Sequence, residues 1–347
     1  MTLKMPGHEA LEPVSFDAIS GWAADDHDAA LKAFQHSARE ILGQGHGFHR
    51  PSRFGGERSD WTVISEAALL ARGGKVFFET HFQPFRVHDE NRPAGLFTGY
   101  YEPLLHGSLT RSDAFCVPVY ARPPSLPQPY LTRREIEEGA LAGQGLELCH
   151  VSSWVDAFFM QVQGNGRVRL PDGGIIRLSF AGKNGRAYTG IGSVLLKRGI
   201  GTPQTMSMQF MRDWMANNPS EMLPLLWNNQ SFIFFRVTRI DDPQLGAIGA
   251  GKVHLTPRRS LAVDRSLWAY GTPLFIDTHE PPEAQVPMAP FRHLMIAQDT
   301  GTAIRGTVRG DVYWGWGDLA ERNAGHMKST GGMVALLPKA LAARLMS

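Results

Sequence analysis

Three aspartates stand among glycines and aromatic residues in one C-terminal stretch, residues 297–318. Asp299 and Asp311 each follow an apolar, strand-like run, so we expect both carboxyls where a strand gives way to a loop. Asp318 directly precedes a helical pattern, and we interpret it as the residue that caps that helix. Asp299 and Asp311 therefore remain the candidates for acid–base chemistry.

Asp311 is followed closely by Tyr313, Trp314 and Trp316. Aromatic walls stack on sugar faces and exclude water. A carboxyl beside such walls has its pKa raised by desolvation, as a general acid at neutral pH requires. The alternative for any aspartate in a glycine-rich loop is a turn residue that caps its own backbone.

A second cluster of polar and aromatic residues lies in the run FTGYYEP, residues 97–103. It includes Thr98, Tyr100, Tyr101 and Glu102. The strand-like pattern of this run predicts a β-strand.

A third cluster contains Gln161 and Gln163, which alternate with apolar residues and are followed by Gly164 and Arg167. The alternation predicts a strand with both amides on one face. Amides and an arginine beside glycines suit a neutral polyhydroxylated ligand. A β-barrel whose glutamines only satisfy loop backbone explains the pattern equally well.

Several common chemistries are absent from the sequence. It has no dinucleotide fingerprint, P-loop, H-E-x-x-H or G-x-S-x-G motif. Cys116 and Cys149 are the only cysteines, so a disulfide framework is excluded and two unpaired thiols are expected. The net charge of +2 gives no reason to expect a nucleic-acid partner.

A length of 347 residues favours two domains. Glycine and proline together are 37 + 23 = 60 residues, an excess that indicates many turns and short strands. No apolar run is long enough for a membrane helix. Residues 1–16 have no apolar core of a signal peptide and no lipid-anchor cysteine, so we expect neither in this chain.

The elements that must position these residues change character along the chain. The first ninety residues predict two helices, over 28–42 and 59–72, and a strand over 75–82. From Gly95 the pattern is β, and a capping box at Thr132 and Glu135 predicts a helix over 133–140. Helices are also predicted over 203–216, 220–227 and 319–326. Further strands are predicted over 95–103, 114–121, 167–170, 175–180, 232–237, 252–255, 260–263, 273–277, 293–297, 303–308 and 332–337. Changes near 91–95 and 241–243 are candidate domain boundaries.

Five ordered motifs together make this pattern specific. The sequence resembles the membrane-bound lytic murein transglycosylase A (MltA) family with its C-terminal three-aspartate (3D) domain, a peptidoglycan-cleaving group. The matching stretches extend over most of the chain after residue 95, and they are residues 97–103, 161–167, 181–185, 255–264 and 298–315.

The resemblance implies a mainly β protein with peripheral helices. A double-psi β-barrel catalytic domain would comprise residues 1–103 and 244–347, with an inserted β-barrel domain over residues 104–243 and a long groove for the glycan between the two. It implies Asp311 as the catalytic acid and Asp299 as its supporting aspartate. Substrate contacts are expected from Thr98, Tyr100, Tyr101, Glu102, Gln161, Gln163, Gly164, Arg167, Arg305 and Trp314.

The resemblance also implies the reaction. A lytic transglycosylase cleaves the β-1,4 bond between N-acetylmuramic acid and N-acetylglucosamine by attack of the substrate's own O6, without a metal or cofactor. The alternatives are a two-carboxylate hydrolase and a non-catalytic wall-binding protein. We expect a monomer in the periplasm or cell envelope that binds a peptidoglycan glycan strand. Recruitment to cell-wall complexes is left open. Membrane attachment is left open.

Overall fold

The computed structural model of the chain describes residues 10–89, 94–240, 242, 245–281 and 289–346. The N-terminal expectation on export falls partly on residues 1–9, outside these ranges. The two candidate boundaries also include residues outside them. Among the described residues, no helix combines the length and apolarity needed to cross a bilayer.

The chain divides into two compact units. The terminal unit comprises the residues up to Tyr100, Ile248–Gly315 and the residues from Arg322 onward. The central unit comprises Tyr101–Ala247 and Trp316–Glu321.

The helices are short and most lie early in the chain or in its middle. They are α1 (His27–Leu42), α2 (Arg58–Leu70), α3 (Gly74–His81), α4 (Arg133–Glu135), α5 (Trp154–Gln163), α6 (Ile191–Lys197), α7 (Met208–Asn217), α8 (Pro219–Leu226), α9 (Asp318–His326) and α10 (Lys339–Met346).

The strands are distributed over the whole chain. They are β1 (Leu11–Pro13), β2 (Phe82–Val87), β3 (Gly95–Glu102), β4 (Leu104–Ser108), β5 (Val117–Tyr120), β6 (Glu147–Val151), β7 (Asn165–Arg169), β8 (Ile175–Lys183), β9 (Ile233–Thr238), β10 (Ser260–Val263), β11 (Pro273–His279), β12 (Pro290–Asp299), β13 (Arg309–Trp316) and β14 (Lys328–Pro338).

The sheet of the terminal unit closes on itself. Its strand order is β1-β2-β14-β11-β12-β10-β13-β3, and β14 also pairs with β3. Six strands, from β14 round to β3, therefore form a barrel. Within it β10 pairs parallel with β12 and antiparallel with β13. Closure removes free edges and gives the strand ends fixed neighbours.

Helices cover one side of this barrel. Asp26 caps α1 by accepting a hydrogen bond from the Ala29 amide. The apolar face of α1 carries the fully buried Phe34, which packs on Phe78 and on Phe82 at the start of β2. The helical N-terminal region thus supplies an apolar layer that supports the strands.

The central unit has its own six-stranded sheet, in the order β5-β6-β4-β7-β8-β9. A parallel bridge between Ala121 and Phe235 joins its two edges. Its core includes the buried Val151, Met160 and Leu178. The predicted fold class, mainly β with peripheral helices, is confirmed.

Two segments predicted as strands are helices. Residues 75–82 lie mostly in α3, where the consecutive Phe77 and Phe78 both pack on Phe34. Neighbouring residues of a strand face opposite ways, so only a helix places both rings there. The segment that carries Gln161 lies in α5, which Ser153 caps at its start and Gly164 ends at φ 79°.

Two other predicted strands are wrong. Residues 303–308 form turns because Gly306 has φ 117°, a left-handed conformation that interrupts a strand. Strand β13 begins only at Arg309, so Asp311 lies near the start of a strand and not in a loop after one. Residues 252–255 contribute a single bridge, between His254 and Ile248.

Candidate active site

The two candidate carboxyls flank the same residue of one barrel strand. Ala262 of β10 is paired with Asp311 on β13 and with Asp299 at the end of β12. Residues paired across neighbouring strands point to the same face of a sheet. The order β12-β10-β13 therefore presents both carboxyls on one face, two strand spacings apart, about 10 Å between Cα atoms.

Asp311 is held through one of its oxygens. The Thr98 hydroxyl donates to Oδ1 at 2.5 Å, and the guanidinium of Arg309 donates to the Thr98 hydroxyl at 2.8 Å. Among the described residues, Oδ2 of Asp311 has no hydrogen-bond partner. Burial raises the pKa of Asp311, and Arg309 and Thr98 offset part of that increase. This combination suits a carboxyl that gives up and recovers a proton through Oδ2.

Asp299 is occupied on both oxygens. Its Oδ1 accepts from the amides of Ala250 and Thr300, each at 2.9 Å, and its Oδ2 accepts from the Tyr100 hydroxyl at 3.0 Å. Burial raises the pKa of Asp299, these three donors lower it, and the charge of Asp311 raises it again. Burial is the largest of these causes, so the pKa of Asp299 is raised, as it is for Asp311. The two carboxyls therefore differ in the hydrogen-bond partners of their oxygens and not in the direction of their pKa shift.

Tyr100 and Tyr313 form the aromatic wall of this cluster. Their ring centroids are 5.3 Å apart, and both pack with the buried Leu255 and Ala262. Burial, together with the two aspartates, raises the pKa of Tyr100 well above its usual value, so its hydroxyl remains a donor.

The tryptophans expected beside Asp311 have other neighbours. Alternation along β13 places Trp314 on the opposite face from Asp311. Its ring packs on Phe291, and its indole N–H points to the sulfur of Met327 at 3.4 Å. Trp316 lies in the central unit, where the guanidinium of Arg167 stacks on it at 4.3 Å. The expectation that tryptophans wall Asp311 is wrong because a strand alternates its side chains.

Glu102 and Arg167 are brought together inside the central unit. The fully buried Glu102 carboxylate pairs with Arg167 at 3.0 Å and with Arg177 at 2.7 Å. The Leu245 carbonyl accepts from both arginines. A buried carboxylate between two guanidinium groups is a structural arrangement that satisfies its charge.

The two glutamines lie on different faces because they are two positions apart on a helix. Gln161 is buried, and its side-chain oxygen accepts from Arg133 at 2.8 Å and from the Ile233 amide. Gln163 is half-buried, and its oxygen accepts from the Tyr101 amide at 3.2 Å. The expected strand with both amides facing one way is therefore replaced by one inward and one outward amide.

Three other predicted residues lie at or near loops. Gly164 follows α5, with open space where a side chain would project. Arg305 is 64% exposed and pairs with Asp264 at 3.3 Å. Asp318 is the first residue of α9, in line with the helix-start role predicted for it.

Three groups around the carboxyls were not predicted from the sequence. Arg309 precedes Asp311 by two residues on β13, a spacing that places both side chains on one face, so its position could have been found by alternation. The amides of Ala250 and Thr300 carry no side-chain signal. Only the folded chain brings Ala250 to Asp299.

Metal binding has no support in the described ranges. Nowhere in them do three or more His, Cys, Asp and Glu side chains form a group that could hold an ion. Cys116 is exposed and Cys149 buried, and both are free thiols, as expected.

Two family models match this chain. Residues 96–236 match a family model described as the MltA specific insert domain, and residues 259–337 match one described as the 3D domain. A membrane-bound lytic murein transglycosylase from Agrobacterium tumefaciens superposes with a TM-score of 0.85 at 35% identity, over 96% of this chain and 99% of that one. This chain belongs to the MltA family.

Other MltA proteins resemble it over different extents. Escherichia coli MltA with bound chitohexaose superposes with a TM-score of 0.72 at 28% identity, over 94% of this chain and 91% of that one. The membrane-bound lytic murein transglycosylase A of Vibrio cholerae is 37% identical over 247 residues, which are 68% of this MltA-family chain and 63% of that protein. The match thus spans slightly less than two thirds of that curated relative.

Proposed function

We propose that this protein is a lytic transglycosylase that cleaves the β-1,4 bond between N-acetylmuramic acid and N-acetylglucosamine in peptidoglycan and forms 1,6-anhydromuramyl ends. The observation that carries the proposal is the unequal state of two neighbouring carboxyls. Burial raises the pKa of both, but one oxygen of Asp311 has no partner in the described part of the chain, while both oxygens of Asp299 accept hydrogen bonds.

The chemistry assigned to Asp311 needs only one proton-exchanging group. Asp311 donates its proton to the glycosidic oxygen as the bond from that oxygen to C1 breaks. The O6 hydroxyl of the same muramyl residue then attacks C1, and the Asp311 carboxylate takes the O6 proton. Attack within one molecule can avoid about 7–11 kcal/mol of the barrier at best. The protonated acid is restored without water.

Asp299 is assigned a supporting role. Its negative charge on the same face stabilises the positive character that develops at C1 in an oxocarbenium-like transition state. A hydrolase would use a second carboxylate as water-activating base or as nucleophile. Three donors already occupy the oxygens of Asp299, which disfavours both tasks.

We assign catalysis to a domain of residues 1–103 and 244–347 and substrate contacts also to an inserted domain of residues 104–243. The division into two compact units and the insert model over 96–236 support this assignment. Arg305, Gln163 and Gly164 are the predicted contacts whose exposure leaves them accessible to a glycan.

We place the protein at the cell envelope, with a peptidoglycan glycan strand as its substrate. The names of the relatives from Vibrio cholerae and Agrobacterium tumefaciens as membrane-bound murein transglycosylases support this placement. The chitohexaose bound to the Escherichia coli relative supports a β-1,4-linked amino-sugar ligand.

The test is the mass of the products that the purified protein releases from isolated sacculi. We expect muropeptides that are lighter by one water than hydrolysis products and have no reducing end. Asp311→Asn should lower the rate by roughly a hundredfold to ten-thousandfold, since the amide cannot donate and recover a proton. Asp318→Asn is the matched control and should keep the wild-type rate.

Three results would contradict the proposal. Reducing-end products indicate a hydrolase. Binding to sacculi without any release indicates a wall-binding protein. An Asp311→Asn protein that keeps a tenth of the wild-type rate shows that another residue is the acid.

A further inference from the structure

Two residues beside Asp311 form a chain of hydrogen bonds that the proposed reaction does not itself require. Arg309 lies on β13 and Thr98 on β3, and the guanidinium Nη2 of Arg309 donates to the Thr98 hydroxyl at 2.8 Å. The Thr98 hydroxyl donates to Oδ1 of Asp311 at 2.5 Å. Arg309 is only 8% exposed, and its Nη1 also contacts the carbonyls of Leu96 and Gly310. The side chain is therefore held in place independently of Asp311.

The hydrogen-bond partners of the Thr98 hydroxyl determine where its proton points. A guanidinium has only donors, so the Thr98 oxygen must be the acceptor toward Arg309. The single hydroxyl proton is then directed to the other hydrogen-bond partner of Thr98, Oδ1 of Asp311. As long as Oδ1 accepts this proton, a protonated Asp311 carries its own proton on Oδ2.

We propose that Arg309 is a positioning residue that acts through Thr98 to keep the transferable proton of Asp311 on Oδ2. This inference rests on the proposed function, because it concerns the proton that the reaction transfers. Arg309 reaches Asp311 through the Thr98 hydroxyl. Its contribution is to fix which of two chemically equivalent oxygens serves as the acid.

Loss of Arg309 has a defined consequence. The Thr98 oxygen would be free to accept a hydrogen bond, so Asp311 could place its proton on Oδ1 and donate it to Thr98. In that arrangement the proton lies on Oδ1, in the hydrogen bond to Thr98, and Oδ2 has no proton to give. Which of Thr98 and Asp311 donates to the other thus depends on Arg309, two positions before Asp311 on β13.

The other groups that face Asp311 do not replace Arg309. Asp299 on β12 carries no positive charge, and the Tyr100 hydroxyl on β3 donates to Asp299 and not to Asp311. Tyr313 lies on the same face of β13 and packs on Tyr100. Strand β10 offers Ala262, which does not titrate. Arg309 is the positive charge that lowers the pKa of Asp311, which burial otherwise raises.

The test compares four single variants of the full chain by kcat, KM and pH profile on a soluble glycan strand. Arg309→Met and Thr98→Val should each lower kcat by roughly tenfold to a hundredfold, the effect of one hydrogen bond to a charged group, with KM within about twofold. Thr98→Ser keeps the hydroxyl and should recover most of the loss seen in Thr98→Val. Arg292→Met removes an arginine that pairs with Asp277 on the same sheet and should match the wild type.

Two further measurements separate positioning from general support of the fold. In Arg309→Met the alkaline limb of the kcat/KM profile should move to higher pH, because a positive charge beside the acid is lost. The double variant Thr98→Val with Arg309→Met should be no worse than the poorer single variant, since Arg309 acts through Thr98. Additive losses, or an unmoved alkaline limb, would overturn the inference.

Melting curves and a titration complete the design. If Arg309→Met does not fold, Thr98→Val and Thr98→Ser carry the comparison, and equal rates for these two would overturn the inference. The carboxyl ¹³C signal of Asp311, assigned with Asp311→Asn, should titrate at higher pH in Thr98→Val than in the wild type. This titration needs no turnover. If the wild type releases no anhydro products, the proposed function is overturned, and the titration still tests the role of Thr98 and Arg309 separately.

Discussion

Asp311 and Asp299 are the same residue type on the same sheet face, and they differ in what occupies their oxygens. Asp311 has one hydroxyl donor on Oδ1, whereas Asp299 has two backbone amides and a phenol. Equal side chains therefore have unequal capacity to exchange a proton. The difference at the residue scale leads to a prediction about their relative importance.

Asp299→Asn should lower the rate by roughly tenfold to a hundredfold, a smaller loss than that of Asp311→Asn. The change removes charge-assisted hydrogen bonds and a stabilising charge, but it leaves the proton transfer in place. The amide would also place donors toward the amides of Ala250 and Thr300 unless it rotates. Initial rates of muropeptide release from sacculi, measured for both variants at one enzyme concentration, give the comparison. Equal and near-complete inactivation together with reducing-end products would identify a two-carboxylate hydrolase.

At the scale of elements, α5 decides what its glutamines can do. The helix turns Gln161 inward to Arg133 and leaves Gln163 at its C-terminal end, beside the left-handed Gly164. A strand would have presented both amides together. The two residues form a matched pair of the same type with different surroundings.

Gln163→Ala should weaken binding of long glycans by about twofold to tenfold, the effect of one neutral hydrogen bond, with little change in kcat and the same anhydro end. Gln161→Ala should instead lower the melting temperature, because it leaves the buried guanidinium of Arg133 with one acceptor fewer. Glycan affinity and melting temperature are measured on both variants. A destabilised Gln163→Ala protein with wild-type affinity would assign this residue to the scaffold.

At the scale of the whole molecule, one buried carboxylate ties the N-terminal segment to the barrel within the terminal unit. Asp25 accepts from His293 at 2.9 Å, from Arg259 at 3.0 Å and from the Leu294 amide at 2.7 Å. Burial alone would raise the pKa of Asp25. The hydrogen bonds from His293 and Arg259 outweigh it and hold the pKa well below its ordinary value.

A depressed folded-state pKa stabilises the protein above the unfolded-state pKa, which is about 3.9 for aspartate, and this stabilisation is lost as the pH falls toward the folded-state value. Asp25→Asn should therefore destabilise the fold by about 3–5 kcal/mol at neutral pH, since it leaves Arg259 buried without its partner. The deficit should shrink as the pH falls below about 4. Urea unfolding at several pH values measures it, and a deficit independent of pH would exclude this carboxylate as the cause.

Much of the fold and the site could be predicted from the residues alone. The acidic pair, the capped α1, the capping box at Thr132 and the β character after Gly95 follow from local patterns and turn chemistry. Asp311 and Asp299 stand out because each lies beside a strand-like run in a stretch rich in glycine and aromatic residues. Five motifs in order indicated the family, which the full-length structural match then showed.

The folded chain decided what local patterns cannot specify. The apolar pattern of segments 75–82 and 154–163 fits a strand as well as a helix. Packing on Phe34 favours the helix in the first segment. Capping by Ser153 and the left-handed Gly164 bounds the helix in the second. Closure of the barrel placed Asp299 and Asp311 on either side of Ala262, although twelve residues separate them. Pairing of β3 with β13 brought Thr98 to an oxygen of Asp311, and Tyr100 of the same strand donates to Asp299. The turn that carries Ala250 contacts the end of β12, where the neighbouring Gly251 amide donates to the Gln298 carbonyl. The sequence by itself therefore determined which groups can ionise. The tertiary structure decided which carboxyl oxygens have hydrogen-bond partners, because those partners are distant in sequence.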